Sequence, residues 1–295
     1  MKCKKILAML MTAAMTASLA ACGGSSSSGD TDAKSDSGDK TYTVGICQLV
    51  QHEALDAATE GFQDALKEKL GDNVKFEVQN ASGDSATCAT IATQFVNDNV
   101  DLIMANATPA LQAAMAATAD IPIVATSVTD FATALDIKDW TGKTGINVTG
   151  TADLAPLAEQ AAMVKELLPD AKTVGVLYCS AEANSKYQAD VVTEELEKLG
   201  LEVKSYTVAD TNEIASVTTK ACSEVDCIYI PTDNTIASTT AAVNEIAAPA
   251  NIPIIAGEEG ICKGCGVATL SISYYSIGYE AGLMAYDILV NGKDP

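Results

Sequence analysis

Three short segments of this chain occur twice, in the same order and at nearly one spacing. TVGI at 43–46 returns as TVGV at 173–176, VDLIMANATPA at 100–110 as VDCIYIPTDNT at 225–235, and IPIVATS at 121–127 as IPIIAGE at 252–258. Offsets that cluster near roughly 130 residues mark a duplicated structural unit. In the first copy, β-branched runs at 43–49, 74–80, 100–106 and 121–127 alternate with helical periods over 54–70, 85–99 and 109–119. Strands separated by helices of that length form βαβ units, whose parallel sheet is covered on both faces. The pattern predicts an α/β fold of two similar lobes, each with a parallel sheet.

Ahead of this repeat the chain changes character. Residues 1–21 carry three lysines and then an apolar run, which reads as a secretory signal. The signal ends in Leu19-Ala20-Ala21-Cys22, a tetrad similar to the lipobox of bacterial lipoproteins. Cys22 is therefore expected to be lipidated and to hold the chain on the outer face of the cell membrane. Residues 22–40 are rich in Ser, Gly and Asp with no large apolar side chain, as a flexible tether requires.

Charge and composition narrow the partners. The formal net charge is −21 and every one of the 18 basic residues is lysine. Such a surface repels nucleic acid. Without arginine there is no bidentate clamp for an anion, so a carboxylate must be received by helix N-termini, hydroxyls and backbone N–H groups. Of the nine cysteines, Cys3 falls in the signal and Cys22 is the anchor, leaving an odd number that argues against a complete disulfide framework. Cys47, Cys88, Cys179 and Cys227 stand in apolar contexts and read as small buried hydrophobes.

Catalytic chemistry is poorly served. His52 is the single histidine, and no G-x-S-x-G, H-E-x-x-H or P-loop motif occurs. Cys262-x-x-Cys265 stands alone, with no second pair or histidine at metal-ligand spacing and without the context of a thioredoxin-like motif. No catalytic residue, metal or cofactor is predicted, and those two thiols are expected to pair locally or to stay free in a turn.

In a lobe of this kind ligands meet the crevice beyond the carboxyl ends of the strands. The repeat places there loops 47–56, 105–110 and 126–130 from one lobe, and 178–186, 230–235 and 256–260 from the other. His52 is a candidate ligand contact. Thr108 and Pro109 open one helix, and Asn184 and Ser185 are cap candidates for another; with Ser127 and Thr129 they offer groups that receive a carboxylate. Asp233 and Asn234 either cap the following helix or touch a ligand. Glu258 and Glu259 are either a solvated acidic loop or a pair suited to an ammonium group. A zwitterionic amino acid would satisfy both kinds of group.

The stretches QLVQHEALDAATEGF, NATPALQAA, SVTD, NVTGTADL, SAEANS, IPTDNTIAS and GEEG followed by SISYYSIGYEAG resemble, in the same order, ABC-transporter substrate-binding lipoproteins associated with tryptophan, tyrosine or phenylalanine uptake. The resemblance runs from Thr43 to Lys293 and implies the type I periplasmic-binding-protein fold, an α/β fold of two similar Rossmann-like lobes with parallel sheets joined by a hinge. It implies lobe 1 at 41–148 plus 272–295 and lobe 2 at 149–271, with crossings near 147–154 and 267–275 and a helix at 276–291 returning to lobe 1. It further implies a monomer that closes on an amino acid, expected to be aromatic, and delivers it to a permease. By matching motif, His52, Thr108, Pro109, Thr129 and Asp130 would face Asn184, Ser185, Asp233, Asn234, Glu258 and Glu259 across the cleft. Tyr178, Tyr274 and Tyr275 are candidate walls for an aromatic ligand, and core packing explains each equally well. The chain departs from its relatives at Glu53, where they carry proline after the histidine, at the two cysteines, and beyond Pro295, where they continue into a further crossing. A sensing receptor of the same fold, or a binder of nucleosides or sugars, would share most of these features.

Overall fold

A computed structural model of the protein describes residues 40–295. The expected signal, Cys22 and the tether up to residue 39 lie outside the described residues. The first sheet holds β1 (Tyr42–Gln48), β2 (Val74–Asn80), β3 (Leu102–Asn106), β4 (Ile123–Val128) and β5 (Val148–Ala152). The second holds β6 (Thr173–Cys179), β7 (Glu202–Val208), β8 (Cys227–Ile230), β9 (Ile254–Ala256) and β10 (Ala268–Thr269). The orders are β2-β1-β3-β4-β5 and β10-β9-β8-β6-β7, which become the same order when the second is read in reverse. Every pairing is parallel. The duplication read from the sequence is thus a duplication of topology.

Helices cover both faces. In the first half α1 (Glu53–Leu70), α2 (Ser85–Asn97), α3 (Thr108–Ala117) and the single turn α4 (Phe131–Ala134) follow the first four strands. In the second half come α5 (Leu157–Leu167), α6 (Ala183–Lys198), α7 (Ile214–Glu224), the short α8 (Asn234–Ala237), α9 (Thr240–Ala247) and α10 (Glu259–Cys265), and α11 (Tyr274–Asn291) ends the chain. Alternation along β1 and β3 sends Cys47, Ile103 and Ala105 into one apolar layer with Phe95 and Leu111, and Val44, Ile46, Leu102 and Met104 into another with Phe62 and Leu66. This two-sided burial is why the strands are apolar throughout rather than alternating with polar residues.

Residue 148, expected as the lobe boundary, is instead the first residue of β5. That strand pairs with β4 from Ile123↔Val148 onward, so the chain leaves the first sheet after Ala152. It returns through α11, which packs on α1 at very short range. A methyl group at Gly278 would lie 2.0 Å from the Ala58 carbonyl oxygen, and one at Gly61 would lie 2.2 Å from that of Tyr275. Only glycine permits this approach. The last helix is thereby fixed to the first lobe.

Candidate functional site

All the expected loops lie at the carboxyl ends of strands. Two of these ends are strained: Ala107 (φ 89°) before α3 and Ser127 (φ 56°) at the end of β4 are non-glycine residues with positive φ. Such backbone is uncommon outside glycine and gathers where a loop must present its groups in one way. Thr108 is buried as the first residue of α3, whose N-terminus has no capping side chain. Its first-turn N–H groups are therefore free of protein side chains.

The acidic candidates divide into distinct roles. Asp233 is buried and caps α8, accepting from Ile236 N at 2.8 Å on one oxygen and from Cys179 N at 2.6 Å on the other. Burial first, and the nearby charge of Glu182 second, push its carboxyl up to about 7. Glu258 is also buried and caps α10 through the Gly260 and Ile261 N–H groups; burial raises its carboxyl despite those two donors. Asp130 caps α4 through Thr133 N at 2.7 Å. Glu259 lies on the solvent side and pairs with Lys263 at 3.3 Å, so the paired-glutamate arrangement expected from GEEG is divided between a cap and a surface ion pair. Asn184 and Ser185 are not caps, since Glu182 holds that position and they fall in the first turn of α6.

Three contacts join the lobes across the cleft. His52 Nε2 meets Asn234 Oδ1 at 3.1 Å, Gln188 Nε2 donates to Thr129 Oγ1 at 3.3 Å, and Lys263 bonds Glu53 at the mouth. Burial lowers the pKa of His52, which keeps the ring neutral at pH 7. Between the two chain crossings, buried Asp153 accepts from Thr129 Oγ1 at 3.0 Å and from the Tyr274 hydroxyl at 2.8 Å.

Several of these groups escaped the sequence reading. Glu182 gathers donors from Asn184, Asn234 and Thr235. Gln188 also reaches Thr232 O, and Gln160 bonds Tyr229, Gly257 O and Leu270 O. Their partners lie far away in sequence, and no local motif announces them. The tyrosines offered as a ligand wall each have partners within the protein. Tyr178 packs against the second lobe's core, Tyr274 is held by Asp153, and exposed Tyr275 stacks on Tyr279 on the outer surface. Cys262 and Cys265 are free and sit on α10 rather than in a turn, with Cys265 Sγ donating to Ile261 O; the register of that helix is set by its Glu258 cap.

Besides Thr218 Oγ1 on α7 and Thr269 Oγ1 on β10, six buried polar atoms are left without a partner, all in or beside the candidate loops. His52 Nδ1, Asn106 Oδ1, Thr108 Oγ1, Ser127 Oγ, Asn184 Oδ1 and Thr232 Oγ1 are buried and make no hydrogen bond within the protein. Buried polar groups are nearly always satisfied; Asn106 and Ser127 lie at the ends of strands, His52, Thr108 and Asn184 at the starts of helices, and Thr232 in the loop after β8. A cavity of about 240 Å³ is lined by Leu49, Val50, Pro109, Cys179, Glu182 and Asn234, among others, and by none of those six residues. Among the described residues no group of three or more His, Cys, Asp or Glu could hold a metal ion.

Known proteins share this fold. The chain is 40% identical to the tyrosine-binding protein of Clostridioides difficile in a match that covers 98% of this chain and 85% of that one. An ABC domain from Streptococcus pneumonia in complex with L-Trp superposes with a TM-score of 0.83 at 37% identity, covering 87% of each chain. The ligand-free, open structure of a substrate-binding protein with adhesive properties from Clostridium difficile gives 0.61 at 39% identity, covering 86% of each chain. Two-lobed binding proteins for leucine and myo-inositol, at 18% identity, share the fold alone. Residues 43–295 match the family described as ABC transporter substrate binding protein, a family of binding proteins rather than enzymes, and the chain belongs to it.

Proposed function

We propose that the protein is the extracytoplasmic, lipid-anchored binding component of an ABC importer and that its ligand is an aromatic amino acid held as a zwitterion between the lobes. The observation that carries this reading is the set of unpartnered buried atoms on His52, Thr108, Ser127, Asn184 and Thr232. A neutral apolar ligand would leave them unsatisfied at about 1–3 kcal/mol each. Thr108 Oγ1, Ser127 Oγ and the uncapped start of α3 suit the carboxylate, which an arginine-free site must bind through hydroxyls and N–H groups. The ammonium is favoured by the buried acids Asp233 and Glu182 behind the second lobe's loops. The tyrosine-binding relative and the L-Trp complex support an aromatic side chain. The lobes also superpose better on the L-Trp complex than on the open relative of similar identity, which supports a closed arrangement around the ligand.

Isothermal titration of the protein with L-tyrosine, L-tryptophan and L-phenylalanine tests the reading, with analogues lacking the amine or the carboxylate as controls. Removing either group is expected to weaken binding more than about tenfold, the value of a hydrogen bond to a charged group. Equal affinity for such analogues, or binding of a nucleoside or sugar in place of every amino acid, would reject it.

A further inference from the structure

Two asparagine amides converge on a single carboxylate. Glu182 Oε2 accepts from Asn184 Nδ2 at 3.1 Å and from Asn234 Nδ2 at 2.6 Å, while its Oε1 accepts from Thr235 N and Thr235 Oγ1 at 2.9 and 2.7 Å. A carboxylate only accepts, so both amide NH₂ groups must face it and both carbonyl oxygens must turn away. For Asn184 this leaves Oδ1 buried and unpartnered. For Asn234 it aims Oδ1 at His52 Nε2 across the cleft, 3.1 Å away. An amide oxygen cannot donate, so Nε2 must carry the proton. In a neutral imidazole the other nitrogen is then a bare acceptor, and His52 Nδ1 is buried without a partner.

We infer that Glu182 is a positioning residue that sets, through Asn234, the Nε2–H tautomer of His52, so that His52 Nδ1 and Asn184 Oδ1 together present acceptors to an N–H donor of the ligand. Glu182 makes no hydrogen bond to His52 and acts on the ring only through Asn234. Its role is to polarise one side of the cleft toward acceptance without placing a full charge there. That the donor is the ammonium of an amino acid rests on the function proposed above; the tautomer does not.

The chain has one histidine, so a long-range ¹H–¹⁵N spectrum of the labelled protein reports a single ring. In the ligand-free wild type at pH 7 the account expects a protonated Nε2 and an unprotonated Nδ1. Glu182→Gln and Asn234→Ala, each checked for retained fold by circular dichroism, should give a mixture of tautomers or the reverse one. Glu182→Gln should also weaken L-tyrosine binding more than tenfold. Adding L-tyrosine should move the Nδ1 resonance, and 3-(4-hydroxyphenyl)propanoate, which lacks the amine, should not. A protonated Nδ1 in the wild type would overturn the inference, as would an unchanged tautomer in both folded variants, or L-tyrosine binding with Nδ1 unmoved. If no aromatic amino acid binds at all, the function reading falls, and the tautomer measured without ligand still decides the positioning role of Glu182.

Discussion

The Tyr274 hydroxyl donates to Asp153 Oδ2 at 2.8 Å, so one buried carboxylate joins the two segments in which the chain passes between its lobes. Burial raises the Asp153 carboxyl, and the Tyr274 and Thr129 hydroxyls oppose that shift. Tyr274→Phe removes one donor and leaves the charge less satisfied. The variant should lose about 1–3 kcal/mol in urea unfolding at pH 7, and unchanged stability would show that the crossings are held by other contacts.

Asp233 gives a pH dependence with a defined sign. Its carboxyl is pushed up to about 7 by burial, against about 3.9 in an unfolded chain. Between those values the folded state binds more proton than the unfolded one, so stability falls as pH rises from about 4 to about 7. The cost is fully present above that window and is relieved below it. His52 acts in the opposite sense, because burial lowers its pKa and the unfolded chain takes up that proton first below about 6.5. Asp233→Asn isolates the first effect. The unfolding free energy of wild type minus that of the variant should decrease from pH 4 to pH 7, and a flat difference would contradict the assignment.

At the cleft mouth, Lys263 on α10 bonds Glu53 on α1 and also pairs with Glu259. All three side chains are at least half exposed, so the pair is screened and its contribution is small. Lys263→Ala should speed ligand release at low salt and match wild type at high salt in stopped-flow measurements. A difference that persists at about 1 M salt, where the Debye length is about 3 Å, would mean that Lys263 acts by something other than charge.

Gly278 tests how the final helix is held. A side chain there meets the Ala58 backbone, which cannot move without shifting α1. Gly278→Val should cost at least the roughly 1–3 kcal/mol of an overpacked core in urea unfolding. A variant as stable as wild type would mean that α11 sits further from α1 than described.

The fold was largely legible because strand and helix periods are local, and the repeat doubled every signal. The positions of His52, Thr108, Ser127 and Asn184 followed from strand ends alone. Which carboxylates face a ligand did not follow, because Asp233, Glu258 and Asp130 serve as helix caps whose donors lie two or three residues ahead, a use that residue type alone does not separate from a ligand contact. Glu182 and Asp153 were missed for a different reason. Glu182 meets donors from another strand-end loop, Asp153 meets one from the last helix, and such pairings exist only once the chain has folded. Tyr274 shows the same limit, since its ring suggested a ligand wall and its hydroxyl turned out to serve the hinge.

Binding of an aromatic amino acid between the lobes is read from the melting temperature of the protein with candidate ligands in excess. A ligand present at about 100 times its Kd stabilises the folded state by roughly 2.7 kcal/mol. L-tyrosine, L-tryptophan or L-phenylalanine should raise the melting temperature, and the gain should vanish for the deaminated analogue. A chain unmoved by all three and stabilised by a nucleoside or a sugar would contradict the account.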